Sequence, residues 1–220
     1  MSGFDLTDRT ALVTGGAQGL GEGMAKALAA AGAKVMIADV QDSGADTAAA
    51  LGDGHAFVRL QIRKMLDVNV LGTALGLKHG LRTMRPGGAA GKGGSIINVA
   101  SVAATIAFPG IAIYSATKSA VDRLTKVAAM EAGKLGTGVR VNCIYPGLVP
   151  TAMGAGLAND VAEIGLFGSA EEAVGAVIEL TPAGRLGTVE DMADAVVFLA
   201  SDASRFVTGA GLPVDGGMGM

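Results

Sequence analysis

The chain has 220 residues, half of them apolar and 17% charged, with 35 glycines, six phenylalanines, two tyrosines and no tryptophan. That balance excludes a disordered chain and gives enough apolar material for one domain spanning residues 1–220, and the absence of a Gly-X-Y period excludes collagen. A formal net charge of −3 without a long basic run makes nucleic acid an unexpected partner.

Other bulk features remove further classes. Cys143 is the lone cysteine and cannot form an internal disulfide, while His55 and His79 are too few and too scattered for a metal site. Met1–Arg9 lacks the basic-then-apolar order of a signal peptide. The longest uncharged apolar run, Val102–Tyr114, contains Pro109 and Gly110 and is too short to span a bilayer. The expectation is a cytoplasmic protein with no membrane, metal or nucleic-acid partner.

Short β-branched runs alternate with Ala-rich helical runs, which predicts an α/β fold with a doubly wound parallel sheet. A strand over Thr10–Thr14 is followed by glycines and a helix over Leu20–Ala31, stopped by Gly32. Lys34–Ala38 forms a second strand ending at Asp39, followed by a short helix near Ala45–Leu51 and a strand at His55–Leu60. Ile62, Leu66, Val70, Ala74 and Leu77 make an apolar stripe on a helix that Pro86 and Gly87 end. Then come a strand at Ser95–Val99, a long helix at Ile111–Lys134 and a strand at Val139–Ile144 closed by Pro146-Gly147. Residues 150–188 read as a Gly-rich loop with one or two helices, before a last helix through Val189, Met192, Val196 and Leu199 and a short strand at Leu212–Val214.

One junction breaks the pattern. Phe57–Leu60 runs through Gln61 straight into Ile62, with no Gly, Pro, Asn, Asp or Ser between strand and helix. Such connections need about 2–6 residues and an N-cap, so the sequence has a seam here.

Thr14–Gly21 lies between a strand and a helix, and its spacing is G-x-x-x-G-x-G. Glycines there let the backbone approach a pyrophosphate, which meets the free N–H groups and positive dipole end of the helix. In a chain this rich in glycine, the turn by itself is as readily an ordinary tight turn. Asp39, at the end of the second strand, adds a carboxylate able to accept from an adenosine ribose. No Lys or Arg stands in the turn or just after Asp39 to take a 2′-phosphate, so NAD is expected over NADP.

Tyr114-Ser115-Ala116-Thr117-Lys118 puts a phenol and an ammonium one helical turn apart. A nearby cation favours phenolate and brings a group with a pKa near 10 towards the working range of an acid–base catalyst. Ser101, just after a strand, could share the same substrate oxygen. Taken singly, each is as well read as a wall residue, a solvated charge and a turn serine.

On these residues the chain resembles the short-chain dehydrogenase/reductase family almost from end to end. The family's T-G-x-x-x-G-x-G is Thr14–Gly21, and its Ser, Tyr and Lys match Ser101, Tyr114 and Lys118. Its catalytic asparagine matches Asn69, and its strand-end Pro-Gly followed by Thr matches Pro146, Gly147 and Thr151, which there hold the nicotinamide carboxamide. The resemblance implies a Rossmann-type domain with cofactor contacts at Gly15, Gln18, Gly19, Leu20, Gly21, Asp39, Tyr114, Lys118, Pro146, Gly147, Val149 and Thr151. It implies hydride exchange between NAD(H) and a secondary alcohol or ketone, with Tyr114 moving the proton, Lys118 lowering the phenol pKa and holding the nicotinamide ribose, Ser101 orienting the carbonyl and Asn69 keeping a relay water. It also implies that an Asp, a helix and a central strand ending Asn-Asn-Ala-Gly are missing between Leu60 and Ile62, on the order of 40 residues.

Substrate choice is expected in Val102–Phe108 and Ala152–Leu180, through Ile106, Phe108, Met153, Leu157, Ile164, Leu166 and Phe167. This apolar set suggests a cyclic, aryl or steroid-like substrate, although the same residues could simply pack the loop on the core. Cys143 reads as a buried strand residue and Tyr145 as structural or pocket wall. The long helix, the last helix and the apolar tail Val214–Met220 resemble the family's tetramer surfaces, so a homotetramer is expected. Two alternatives stand beside the dehydrogenase: a 3-oxoacyl thioester reductase, and a nucleotide-binding protein whose catalysis went with the missing segment.

Overall fold

A computed structural model of the chain describes residues 5–59 and 65–220. Six strands are present there, β1 (Thr10–Thr14), β2 (Lys34–Asp39), β3 (Ala56–Arg59), β4 (Gly94–Val99), β5 (Val139–Pro146) and β6 (Gly211–Val214). Every pairing among them is parallel. The helices are α1 (Gly19–Ala30), α2 (Gly44–Ala50), α3 (Gly72–Met84), α4 (Ala112–Lys134), α5 (Ala152–Glu163), α6 (Ala170–Glu179) and α7 (Val189–Ala200).

Local chemistry sets the element ends. After α1, Gly32 takes φ +98°, its N–H donates to the Ala29 carbonyl and the Ala33 N–H donates to the Leu28 carbonyl. This is a Schellman closure, which favours glycine at the left-handed position. Helix α7 opens with a capping box in which Thr188 Oγ1 accepts from the Asp191 N–H and Asp191 Oδ2 accepts from the Thr188 N–H. The Arg185 guanidinium beside Asp191 holds that carboxyl well below the usual carboxylate range.

The sheet is not continuous. It divides into two three-stranded sheets, ordered β3-β2-β1 and β4-β5-β6. Strands β1 and β4 come within 8 Å of each other, Cα to Cα, but share no hydrogen-bonded ladder. A strand between them would set their separation at two inter-strand spacings, about 9.6 Å. Among the described residues no strand lies between them, so the facing edges lack a ladder partner. The Gln61–Ile62 junction itself lies outside the described residues, as does Ile62 of the predicted stripe.

Side-chain packing joins the halves. One core contains Leu6, Val13, Met24, Leu28, Val35 and Ile37 from the first half with Ile144, Met192, Val196 and Leu199 from the second. A Cβ on Gly23 would stand 2.0 Å from Val189 Cγ1, so α1 and α7 touch through a glycine. Ser95 Oγ donates to the Leu199 carbonyl at 2.9 Å, and the Arg140 guanidinium donates to the Leu199, Ala200 and Ser201 carbonyls at the end of α7. At the amino end of the seam a cavity of about 210 Å³ is lined by Arg9, Lys92, Arg140, Asp202 and Arg205.

The predicted stripe on the helix before Pro86 is only partly right. A five-residue π-helical segment, Asp67–Leu71, precedes α3. Its extra residue per turn rotates the face, so Leu77 is buried while Leu66 is 56% exposed. The Gly-rich stretch 150–188 resolves into α5 and α6, capped by Thr151 and Ser169 side chains. Cys143 and Tyr145 pack in a small cluster with Ala100 and Val121, and burial pushes the Cys143 thiol up to about 11. The Tyr145 hydroxyl donates to Asp122 Oδ1 at 2.6 Å, which ties β5 to α4.

Candidate active site

The glycine turn joins β1 to α1 in a shape that side chains would block. Gly15 and Gly19 have φ of +71° and +57°, and a Cβ on Gly21 would lie 2.0 Å from the Gly15 carbonyl oxygen. Gln18 is extended at the N-cap and its side chain makes no capping bond. The first-turn N–H groups of α1, at Gly19, Leu20 and Gly21, therefore have no cap over them. A pyrophosphate fits this cradle on both counts, close backbone approach and free donors. Gly21→Ala is expected to weaken NADH binding roughly a hundredfold with secondary structure retained, measured by fluorescence titration and circular dichroism.

Asp39 is buried at the carboxyl end of β2. Its Oδ2 accepts from the Ala17 N–H at 2.8 Å and its Oδ1 from the Gln41 N–H at 2.9 Å. The carboxylate thus organises the glycine turn, and each oxygen keeps a second lone pair that could accept from a ribose hydroxyl. Gly19 faces Thr151, with a Cβ-to-Cγ2 approach of 3.7 Å. The turn is in this way brought against the segment Pro146, Gly147, Val149 and Thr151 that follows β5.

The second group sits at the carboxyl end of β4 and the start of α4. Ser101 caps a 3-10 turn at Val102–Ala104, its Oγ accepting from the Ala103 N–H at 3.1 Å. Lys118 donates to the Val99 carbonyl at 2.9 Å and lies 5.6 Å from the centroid of the Tyr114 ring. Burial pushes the Tyr114 phenol up, and a hydrogen bond from Ser101 opposes that. Burial lowers the Lys118 ammonium to about 8. The Lys118 ammonium thus hydrogen-bonds a backbone carbonyl rather than the phenol oxygen, and burial is the largest influence on the phenol.

Asn69 lies in the π-helical segment, and its Nδ2 donates to Thr117 Oγ1 at 2.9 Å. Thr117 in turn donates to the Tyr114 carbonyl at 2.7 Å, while the Asn69 carbonyl accepts from Thr73 Oγ1. Asn69 is therefore tied to the tyrosine's own helical turn. Thr117 is a residue that sequence reasoning passed over, although its place in the Tyr–Lys turn of α4 marks it. The structure accordingly brings Ser101, Tyr114, Lys118 and Asn69 into one connected group, and Gly15–Gly21 with Asp39 into another.

The apolar loop packs against Gly110, in the turn just before α4. A Cβ on Gly110, just before α4, would meet Ile164 Cδ1 at 2.9 Å and Leu166 Cδ1 at 3.1 Å. Met153 is 75% exposed, while Ile106, Phe108, Leu157 and Phe167 are half-buried.

The chain is similar to known proteins along nearly its whole length. The family model described as "short chain dehydrogenase" matches residues 9–61, and that described as "Enoyl-(Acyl carrier protein) reductase" matches residues 55–219. The cis-4-hydroxycyclohexanecarboxylate dehydrogenase of Sinomonas cyclohexanicum is 32% identical over 262 residues, covering 98% of this chain and 98% of that protein. A 3-alpha-(or 20-beta)-hydroxysteroid dehydrogenase of Mycobacterium tuberculosis is 34% identical over 259 residues, covering 96% and 90%. Among solved structures, a short-chain type dehydrogenase/reductase from Mycobacterium ulcerans superposes with a TM-score of 0.78 at 34% identity, over 98% of this chain and 91% of that one. A chain from Agrobacterium tumefaciens described as a 2-deoxy-d-gluconate 3-dehydrogenase, with bound NADP, gives 0.75 at 31% identity over 99% of each. Fold, glycine turn and sequence likeness along nearly the whole length together place this chain in the short-chain dehydrogenase/reductase family.

Proposed function

We propose that this oxidoreductase exchanges hydride between NAD(H) and a secondary alcohol or ketone carried on a hydrophobic ring. The observation that carries the reading is the connected group Ser101–Tyr114–Lys118, with an apolar loop packed against the turn before α4, in a chain related to hydroxycyclohexane and hydroxysteroid dehydrogenases. The bound nicotinamide dinucleotide supplies or accepts the hydride. Tyr114 gives its phenol proton to the carbonyl oxygen during reduction and takes a hydroxyl proton during oxidation. Burial favours the neutral phenol, the form that reduction needs. Ser101 donates to the same substrate oxygen, and Lys118, still largely cationic at pH 7, stabilises negative charge on the phenol oxygen. Asn69, through Thr117, fixes the helical turn that carries the tyrosine.

Asp39 supports NAD as the preferred cofactor, because its carboxylate would repel a 2′-phosphate. The NADP in the Agrobacterium structure makes the phosphorylated form the second cofactor to test. The exposed apolar side chains Met65, Leu66 and Leu71, with Val127 and Met130 on α4, support assembly into a homotetramer. No helix among the described residues is long and apolar enough to cross a membrane, and the free, buried Cys143 fits a reducing cytoplasm.

A second reading, reduction of an acyl thioester, is favoured by the description of the longer family match. Absorbance at 340 nm separates the two when NADH and NADPH are offered with cyclohexanone carboxylates, a steroid ketone and acetoacetyl thioester. The expected result is turnover of a cyclic ketone with NADH at least about tenfold faster than with NADPH, a discrimination worth roughly 1.4 kcal/mol. Turnover of the thioester alone overturns the reading. NADH binding with no turnover of any substrate favours a non-catalytic nucleotide-binding protein.

A further inference from the structure

The adenosine end of the proposed dinucleotide site has a cation that the linear sequence hides. Strand β3 pairs with β2 so that Arg59 stands directly opposite Asp39. Paired residues of adjacent parallel strands lie about 4.8 Å apart and project from the same face. The Arg59 side chain therefore starts beside the buried carboxylate that is proposed to hold the ribose. Its guanidinium reaches across the loop after β2, where Nη1 pairs with Asp42 Oδ1 at 3.0 Å. That loop is the one whose Gln41 N–H donates to Asp39. Asp39, Gln41, Asp42 and Arg59 thus form one small cluster at the carboxyl ends of β2 and β3.

We propose that Arg59 is the counter-cation for a 2′-phosphate on the adenosine ribose, and that Asp42, by occupying it, sets how strongly the protein prefers NAD to NADP. The inference rests on the dinucleotide reading of the Gly15–Gly21 turn. The pair is exposed, with side chains 53% and 72% accessible, and such ion pairs contribute little to stability. Trading one monovalent carboxylate for a phosphate with about two charges gains a stronger, bidentate partner. The Asp39 carboxylate opposes the exchange from the buried side, since its own two N–H donors leave its charge in place. Preference for NAD then results from two carboxylates, one repelling the phosphate and one competing for its cation.

Calorimetric titration of the full chain with 5′-AMP and with 2′,5′-ADP, at constant ionic strength, isolates the 2′-phosphate from the rest of the cofactor. Asp42→Asn is expected to tighten 2′,5′-ADP about tenfold while 5′-AMP stays within about twofold. Arg59→Ala is expected to weaken 2′,5′-ADP by a similar factor, again sparing 5′-AMP, and Arg59→Lys to recover part of the loss. Both positions are on the surface, and unchanged melting temperatures show that the variants fold. If both variants leave the ratio of the two affinities at the wild-type value while 5′-AMP binds, Arg59 is only a surface ion-pair partner and the proposal is overturned. If 5′-AMP and NADH both fail to bind the wild-type chain, the dinucleotide reading itself falls and takes this inference with it.

Discussion

Tyr114→Phe lowers ketone reduction by roughly a thousandfold, equivalent to about 4 kcal/mol of barrier, while NADH affinity changes no more than about threefold. The phenylalanine ring keeps the shape that packs under Lys118 but cannot carry a proton. Ser101 loses its phenol partner and keeps its bond to the Ala103 N–H, so the 3-10 turn is retained. Lys118 keeps its anchor on the Val99 carbonyl. The check pairs single-turnover absorbance at 340 nm with a fluorescence titration of NADH on the same preparation. Residual activity above a tenth of wild type would remove Tyr114 from the proton-transfer role.

A second large effect is expected from restoring what the sheet lacks. The alignment to the Sinomonas relative runs over 262 residues against a chain of 220, so roughly forty positions of the relative have no counterpart here, about one helix and one strand. Grafting at the Gln61–Ile62 junction the helix–strand unit that the family resemblance implies is expected to give β1 and β4 a shared neighbour. A five-residue central strand adds about eight ladder hydrogen bonds at a net 0.5–1.5 kcal/mol each, roughly 4–12 kcal/mol before the entropy of ordering the insert. Even about 4 kcal/mol of net gain raises the melting temperature of a domain this size by roughly 8–16 °C. Amides on the facing edges of β1 and β4 should then gain protection against hydrogen exchange, read by mass spectrometry before and after grafting. A graft that folds with no rise in melting temperature and no new edge protection would mean that the present packing already compensates the gap.

Much of this is written in local sequence. Strand and helix periods and Gly32 give most element limits within a residue or two, because short-range chemistry determines them. The glycine spacing at Gly15–Gly21 is legible for the same reason, since only residues without Cβ can let Gly21 meet the Gly15 carbonyl. What is not legible depends on neighbours distant in the chain. The π-helical segment rotates Leu66 out of the predicted stripe, and no periodicity announces one extra residue in a turn. The Lys118 ammonium goes to a carbonyl of β4 instead of the phenol, which depends on how α4 lies on that strand. Arg59 escapes any search around Asp39 because the two are neighbours across strands, twenty residues apart in the chain. The sequence does announce the split of the sheet, as a strand with no turn after it.

That split has a consequence for how the molecule comes apart. Strands β1–β3 are drawn from residues 10–59 and β4–β6 from residues 94–214, so each ladder closes within its own stretch of chain. With no ladder between them, the halves depend on one another through side chains, chiefly α7 lying on α1 and the core beneath. Either half can therefore open without breaking the other's backbone bonds, although the shared core is lost with it. The first carries the glycine turn and Asp39, the second Ser101, Tyr114 and Lys118. Partial opening of either disables the protein while most of its secondary structure survives, so loss of function on heating precedes the loss of helix signal.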